Sequence, residues 1–158
     1  MNDRDDRNSV ADYRLTVVVG IAAFLCLTVA RAYSYILFHS LAEIFSIIVA
    51  CTVFVVFWNA RQLLDNACYL FIGIAFLFVA SIDLVHMLAY GEMNIFRGFD
   101  QDLAIQLWIM ARYVQAVSLL AALLFMHRRL VPGYVFAAYT IVILFLYATI
   151  FYWRVFPT

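Results

Sequence analysis

The 158-residue chain is dominated by apolar side chains: 68% of its residues are hydrophobic and only 13% are charged. A soluble domain has about half its residues apolar and about a quarter charged, so this composition predicts an integral membrane protein. Its ten basic residues are all arginines and balance ten acids, which gives a net charge of zero. The chain therefore lacks the basic surface that nucleic-acid binding requires. The three cysteines show no spacing typical of a redox or zinc motif.

Five apolar stretches are long enough to cross a membrane, which takes about 20 helical residues. Polar breaks such as "RGFDQD" and "HRRLVPG" separate the later stretches. The predicted fold class is therefore all-α, an integral membrane protein with a bundle of about five transmembrane helices. We expect a short polar tail over residues 1–12 and one membrane domain over residues 13–158. The predicted spans are 13–33, 35–58, 66–90, 103–125 and 131–153.

Arginines are distributed unequally between the two ends of these spans. If the helices alternate in direction, the side that holds the N-terminus carries six arginines and the other side carries three. The six are Arg4, Arg7, Arg14, Arg61, Arg128 and Arg129, and the three are Arg31, Arg97 and Arg154. Because an excess of basic residues marks the cytoplasmic side, we expect the N-terminus in the cytoplasm and the C-terminus outside.

Two predicted spans each carry a histidine and an acid on one helical face. His39 and Glu43 are four residues apart in the second span, and Asp83 and His86 are three apart in the third. Residues at these spacings project from the same side of a helix. If the two helices are antiparallel, both pairs lie at one depth near the outer end. These four residues are the candidate ligand-binding or metal-binding site.

The fourth span adds polar residues near the same depth. The segment "IQLWIMARYVQ" contains Gln106, Arg112 and Tyr113, which we assign as supporting polar residues. An ionisable group that faces lipid costs several kcal/mol, so such groups turn inward, pair, or line a cavity. The sequence therefore predicts that polar residues from three helices meet in one layer.

Four interpretations of this layer remain open. A purely structural lock would pair Glu43 or Asp83 with Arg112 and would need no cofactor. A zinc, iron or manganese ion would suit two imidazoles and two carboxylates, and helical pairs of this spacing can build such sites. Heme between His39 and His86 is disfavoured by the two nearby acids. The imidazoles also allow a proton-responsive site.

The link between the second and third spans is polar and lies on the predicted cytoplasmic side. Its segment "FWNARQLLDN" contains Trp58, Asn59, Arg61 and Asp65, followed by Asn66. Arg61 and Asp65 are spaced to pair across one helical turn, and Asn66 is a suitable cap for the third helix. A solvated turn explains these residues adequately. They are also the candidates for a face that passes a signal to a partner.

Several of these segments together resemble the MASE3 family of bacterial membrane-associated sensor domains. The resemblance is strongest over residues 34–129. It is carried by the His39 and Glu43 pair, by "WNAR" and "LDN", by "DLVHMLAY" and by "QLWIMARY". It implies a multi-pass protein of the bacterial inner membrane that acts as the input module of a histidine kinase or a diguanylate cyclase. A homodimer is expected on the same ground.

The predicted topology departs from that role, because five spans leave the C-terminus outside and the sequence contains no segment typical of a kinase or cyclase. We therefore expect either an input domain that lacks at least one further helix and its output domain, or a protein that acts alone or as a partner subunit. The leading functional hypothesis is a signal sensor whose polar site binds a ligand or metal ion and alters helix packing. The alternative is an integral-membrane metalloenzyme that uses the same cluster, with Glu43 or Asp83 as general base. A scaffold that only mediates oligomerisation is the third hypothesis.

Overall fold

Five α-helices contain most of the residues that the computed structural model describes. The described residues are 3–64, 66–90, 93, 95, 96, 98, 99, 102–126 and 128–153, with side chains from residue 13 onward. The helices are α1 (Asp3–Tyr33), α2 (Tyr35–Ala60), α3 (Ala67–Leu88), α4 (Asp102–Ala122) and α5 (Pro132–Phe151). A 3₁₀ turn, Leu123–Phe125, extends α4. Each helix contains a stretch long and apolar enough to cross a membrane.

The chain divides into two compact units, Met1–Ala42 and Glu43–Thr158. The first unit consists of α1 and the first two turns of α2. Ser34 alone separates these helices, and its Oγ accepts a hydrogen bond of 3.4 Å from the backbone N–H of Leu37. Serine is a preferred residue at this position because its hydroxyl satisfies an N–H group that the new helix leaves without a carbonyl.

The second unit is built around the buried helix α3. Half of the apolar stretch of α3 is buried, a larger share than in any other described helix, and its most extensive packing is against α4. Ile82 of α3 and Leu107 and Ala111 of α4 are completely buried in their shared core. Ile143 and Ile150 of α5 complete this core. The α3 and α4 pair is therefore the best-packed part of the unit.

Helix α2 approaches α3 closely at a glycine. A Cβ atom added to Gly73 would lie 3.1 Å from Cβ of Phe57 and 3.5 Å from Cα of Phe54. Only a residue without a side chain fits at this separation without displacing its neighbour, and small residues allow such close helix approach in membranes. Gly73 therefore sets the distance between α2 and α3 at this point.

Aromatic rings fill the space between α2, α3 and α5. Phe136 of α5 makes edge-on contacts with Phe54 and Trp58, with ring centroids 6.1 and 5.7 Å apart. On the other side, Phe78 stacks on Tyr139 with centroids 5.2 Å apart. Edge-on and stacked pairs at these distances are the favourable aromatic geometries. The C-terminal half of α2 thus contacts α5 through rings.

The structure confirms the all-helical class and the five long apolar helices, with boundaries within two residues of the predicted ones. It also confirms Asn66 as the cap of α3, since its Oδ1 accepts a hydrogen bond of 2.9 Å from the backbone N–H of Cys68. The direction in which each helix crosses the membrane stays a prediction.

Candidate functional site

Helix α3 places two polar side chains inside the protein, where each contacts α4. Asp83 and His86 are 2% and 5% exposed. Nδ1 of His86 lies 2.7 Å from the backbone carbonyl oxygen of Ala104. A carbonyl oxygen only accepts hydrogen bonds, so Nδ1 carries the hydrogen and donates it. In the neutral ring, Nε2 therefore keeps its lone pair.

The Nε2 atom of His86 faces a carboxylate on α2. It lies 3.9 Å from Oε1 of Glu43, and both side chains are largely buried. This separation is too long for a hydrogen bond between the two atoms. A metal ion held about 2.0–2.2 Å from a nitrogen and an oxygen would leave them roughly 3–4 Å apart. The observed spacing suits a small cation between His86 and Glu43.

His39 precedes Glu43 by one turn on α2 and projects from the same face. Its ring stacks on that of Tyr35, with centroids 6.2 Å apart and an angle of 15° between the planes. Glu43 and His86 supply an oxygen and a nitrogen that can hold a metal ion, and the sequence predicts His39, one turn before Glu43, as a third ligand. Nitrogen and oxygen ligands of this kind suit zinc, iron or manganese.

Asp83 is engaged differently, although it lies one turn from His86. Nη2 of Arg112 donates to both carboxylate oxygens of Asp83 at 2.6 Å. Nη1 of the same guanidinium donates to Oε1 of Gln115 at 2.7 Å. Gln115 was missed in the sequence, although its i,i+3 spacing from Arg112 was a usable signal. The Asp83 charge is therefore balanced by α4, and the role of Asp83 as a ligand stays a prediction.

The other two supporting residues of α4 differ in exposure. Gln106 is half-buried, whereas Tyr113 is 70% exposed. Tyr113 lines an apolar groove between α4 and α5. Its side chain therefore lies on a surface of the unit that α4 and α5 share.

The predicted signalling face at the end of α2 is held by short-range contacts. The guanidinium of Arg61 lies 4.6 Å above the ring of Trp58, and its Nη1 donates to the Trp58 carbonyl at 2.7 Å. Asn59 donates from Nδ2 to the carbonyl of Val55 at 2.8 Å. Asp65, the fourth candidate, lies outside the described residues. The ring of Trp58 also contacts Phe136, which connects this end of α2 with α5.

Residues 30–158 match a family of membrane-associated sensor domains, and the match covers most of the chain. The chain belongs to the MASE3 family. This confirms the resemblance seen in its sequence segments. No curated protein and no solved structure matches the chain significantly.

MASE3 membership describes a membrane-associated sensor domain, a type of input domain that is typically non-catalytic. Such a domain implies a bilayer around the five apolar helices and a signalling output downstream. Helices α2, α3 and α4 are therefore part of a sensor domain. Its candidate site is built on Glu43 and His86, with His39 as the predicted third ligand.

Proposed function

We propose that this MASE3 domain senses a divalent transition-metal ion, of which zinc is the simplest candidate, through His39, Glu43 and His86. The observation that carries the proposal is the orientation of His86. Its Nδ1–H group is held by the carbonyl of Ala104, and its Nε2 atom faces the carboxylate of Glu43. Histidines that bind metals commonly donate their other N–H to a carbonyl, which fixes the ring and its tautomer.

Charge balance supports a cation at this position. Asp83 is paired with the guanidinium of Arg112, whereas the carboxylate of Glu43 faces an imidazole that is charged only when protonated. An ionised carboxylate in a membrane span is unfavourable unless a cation or proton accompanies it. A metal ion bound by neutral imidazole and carboxylate would supply that charge.

The packing suggests how binding would change the domain. His86 lies on the well-packed pair of α3 and α4, whereas Glu43 lies on α2, of whose apolar stretch only 6% is buried. A cation between Glu43 and His86 would hold this end of α2 at α3, and loss of the ion would release it. Trp58 lies 15 residues further along α2, roughly 22 Å away at about 1.5 Å per residue. Movement of α2 about its close contact at Gly73 would then be transmitted to the described residues of the predicted signalling face, Trp58, Asn59 and Arg61.

The output in this proposal is a cytoplasmic signalling enzyme of the bacterial inner membrane, a histidine kinase or a diguanylate cyclase, as the family resemblance implies. The sensor binds the ion near the outer membrane surface, and the ring contacts of Trp58 change at the opposite end of α2. Helix shifts of about 1–2 Å are sufficient for such switching, because packed interfaces are bistable.

Metal binding is tested on the purified chain in mild detergent after treatment with a chelator. We expect isothermal titration calorimetry with zinc to give a stoichiometry of one ion per chain. Glu43→Gln and His86→Ala each remove a ligand and should weaken binding by about tenfold or more. Asp102→Asn is the matched control, because it replaces another carboxylate outside the group. Equal affinity in all four proteins, or no binding of zinc, manganese or ferrous ion, would contradict the proposal.

Helix movement is tested separately with spin labels at Val55 of α2 and Leu120 of α4, both of which are exposed. We expect zinc to change the distance between the two labels in the parent chain and to leave it unchanged in Glu43→Gln. Zinc binding without a change in that distance would indicate a purely structural metal site and would overturn the proposal that binding moves α2.

A further inference from the structure

An apolar groove of about 720 Å³ lies between α4 and α5, on a part of the unit distinct from the metal-binding group. Its volume is within the range of about 300–1,000 Å³ typical of small-molecule sites. Val117 and Ala121 of α4 and Ala138 and Val142 of α5 are among its lining residues. The groove is open along one side, so an extended apolar molecule can lie in it lengthwise.

Two of the polar side chains in the groove, Tyr139 and Ser118, are hydrogen-bonded to each other. The hydroxyl of Tyr139 donates to Oγ of Ser118 at 2.6 Å, and Ser118 donates to the carbonyl of Val114 at 2.5 Å. Neither hydroxyl hydrogen is directed at an occupant of the groove. Because buried polar groups otherwise require a partner, this internal pairing favours a hydrocarbon occupant over a polar one.

A cation lies at one end of the groove. Arg129, in the link between α4 and α5, is an exposed lining residue, and the adjacent Arg128 is exposed as well. Among the described residues, no acidic side chain lies in salt-bridge contact with Arg129. An arginine at the end of an apolar groove complements a molecule that joins a hydrocarbon chain to an anionic headgroup.

The length of the groove agrees with one leaflet of a bilayer. Along α5 it extends from Tyr134 to Leu146, a rise of twelve residue steps, or roughly 18 Å at about 1.5 Å per residue. Half of the hydrocarbon core of a bilayer is about 15 Å. An acyl chain anchored by its headgroup at Arg129 would therefore reach the far end of the groove near the middle of the membrane.

We propose that the groove between α4 and α5 is a binding site for an anionic phospholipid, with one acyl chain along Ala138 and Val142 and the phosphate at Arg129. This site is independent of the metal-binding group. The lipid would stabilise the packing of α5 against α4 and would make the domain sensitive to the anionic lipid content of its leaflet.

The test uses the full chain in nanodiscs that contain equal amounts of phosphatidylglycerol and phosphatidylcholine with identical acyl chains. After transfer to mild detergent, native mass spectrometry measures the lipid that each protein retains. We expect the parent chain to retain one phosphatidylglycerol. Arg129→Gln should reduce the preference for phosphatidylglycerol about fivefold, the contribution expected of one arginine at an anionic surface. Arg128→Gln, which changes an adjacent arginine outside the groove, should retain the preference.

A second pair of variants tests the acyl chain. Ala138→Trp fills the groove and should abolish retention of both lipids, whereas Ala137→Trp changes a neighbouring exposed residue outside the groove and should leave retention intact. Val142→Trp is a second blocking variant if Ala138→Trp fails to fold by circular dichroism. Equal retention of the two lipids by the parent chain, or equal effects at Arg128 and Arg129, would overturn the proposal. So would a blocking variant that changes the oligomeric state but not lipid retention, because the groove would then be occupied by a second protein chain.

Discussion

Two polar pairs lie within one turn of each other on α3, and they differ in chemical type. Asp83 and Arg112 form an ion pair with short hydrogen bonds, whereas His86 and Glu43 are 3.9 Å apart and can share a cation. The first pair joins α3 to the helix with which it is most extensively packed. The second joins it to the more exposed α2. The two pairs therefore suit different roles, the first in stability and the second in response to a ligand.

The two side chains of the ion pair are buried to different degrees. Substituting one or the other should therefore change the stability of the domain by different amounts. The side chain of Asp83 is 3% exposed and that of Arg112 is 36% exposed. Arg112→Gln leaves a buried carboxylate without its cation, whereas Asp83→Asn leaves an arginine that can extend its long side chain toward the interface. We expect Arg112→Gln to be the more destabilising by about 1–3 kcal/mol. The measurement is apparent Tm and free energy of unfolding in detergent.

A double variant provides the control for this prediction. Asp83→Asn combined with Arg112→Gln removes both charges, so it should be more stable than Arg112→Gln alone. Equal loss of stability in the two single variants would show that the pair is hydrated and that its unequal burial has no energetic effect.

Sequence spacing placed the polar residues on shared helical faces but did not determine their partners. The spacing of His39 from Glu43 and of Asp83 from His86 is sufficient to define each face. The choice between Asp83 and Glu43 as partner of Arg112 depends on the rotation of α4, which sequence periodicity leaves uncertain by tens of degrees. The carbonyl of Ala104, which orients His86, belongs to the backbone and has no residue-type signal.

At the level of whole helices, composition and length predicted the spans well because the bilayer sets the length of each apolar stretch. The ends were predicted less exactly. The third span was predicted as 66–90, whereas α3 is Ala67–Leu88. Ala89, the C-terminal cap of α3, has near-helical backbone angles. The backbone conformation therefore changes little where the helix ends. Helix ends of this kind are uncertain by one or two residues.

The close contact between α2 and α3 makes a prediction at this scale. Gly73→Leu would force a side chain into space held by Phe57 and Phe54, and overpacking of this kind costs about 1–3 kcal/mol. If α2 moves about this contact during sensing, the variant should also reduce the zinc-dependent change in the distance between labels on α2 and α4.

The matched control is Gly20→Leu in α1, where an added Cβ meets no atom within 4 Å. Leucine also has a higher helix propensity than glycine, so this variant should retain or raise the apparent Tm. Both proteins are compared by thermal unfolding in the same detergent. If Gly73→Leu is as stable as the control, the close contact does not limit the packing of α2 against α3.

For the whole molecule, composition predicts the all-α class and the five spans, and sequence segments alone indicate the MASE3 family. Orientation is a different kind of property. It depends on small differences in charge between loops, and six arginines against three is a modest bias. Burial and side-chain contacts carry no information about which side of a bilayer a loop occupies.

Orientation leads to the last prediction, which concerns the whole chain in its membrane. In a variant with Cys26, Cys51 and Cys68 replaced by alanine, single cysteines are introduced at Arg31, Arg61 and Arg128, all exposed positions at helix ends. Because arginine-rich loops are retained in the cytoplasm, a membrane-impermeant maleimide should label intact spheroplasts at position 31 and should label positions 61 and 128 only after permeabilisation.

Positions 61 and 128 are the informative pair in that experiment, because alternating helices place them on one side of the membrane whichever side it is. Labelling of both in intact spheroplasts, with position 31 protected, would invert the predicted orientation but keep the alternation. Labelling of only one of the two would show that the helices do not alternate. In that case Glu43 of α2 and His86 of α3 could still meet as they do in the structure, but the direction in which α2 carries the signal would have to be assigned anew. An alternating result with position 31 outside places the group of His39, Glu43 and His86 near the outer surface, where an extracellular metal ion can reach it.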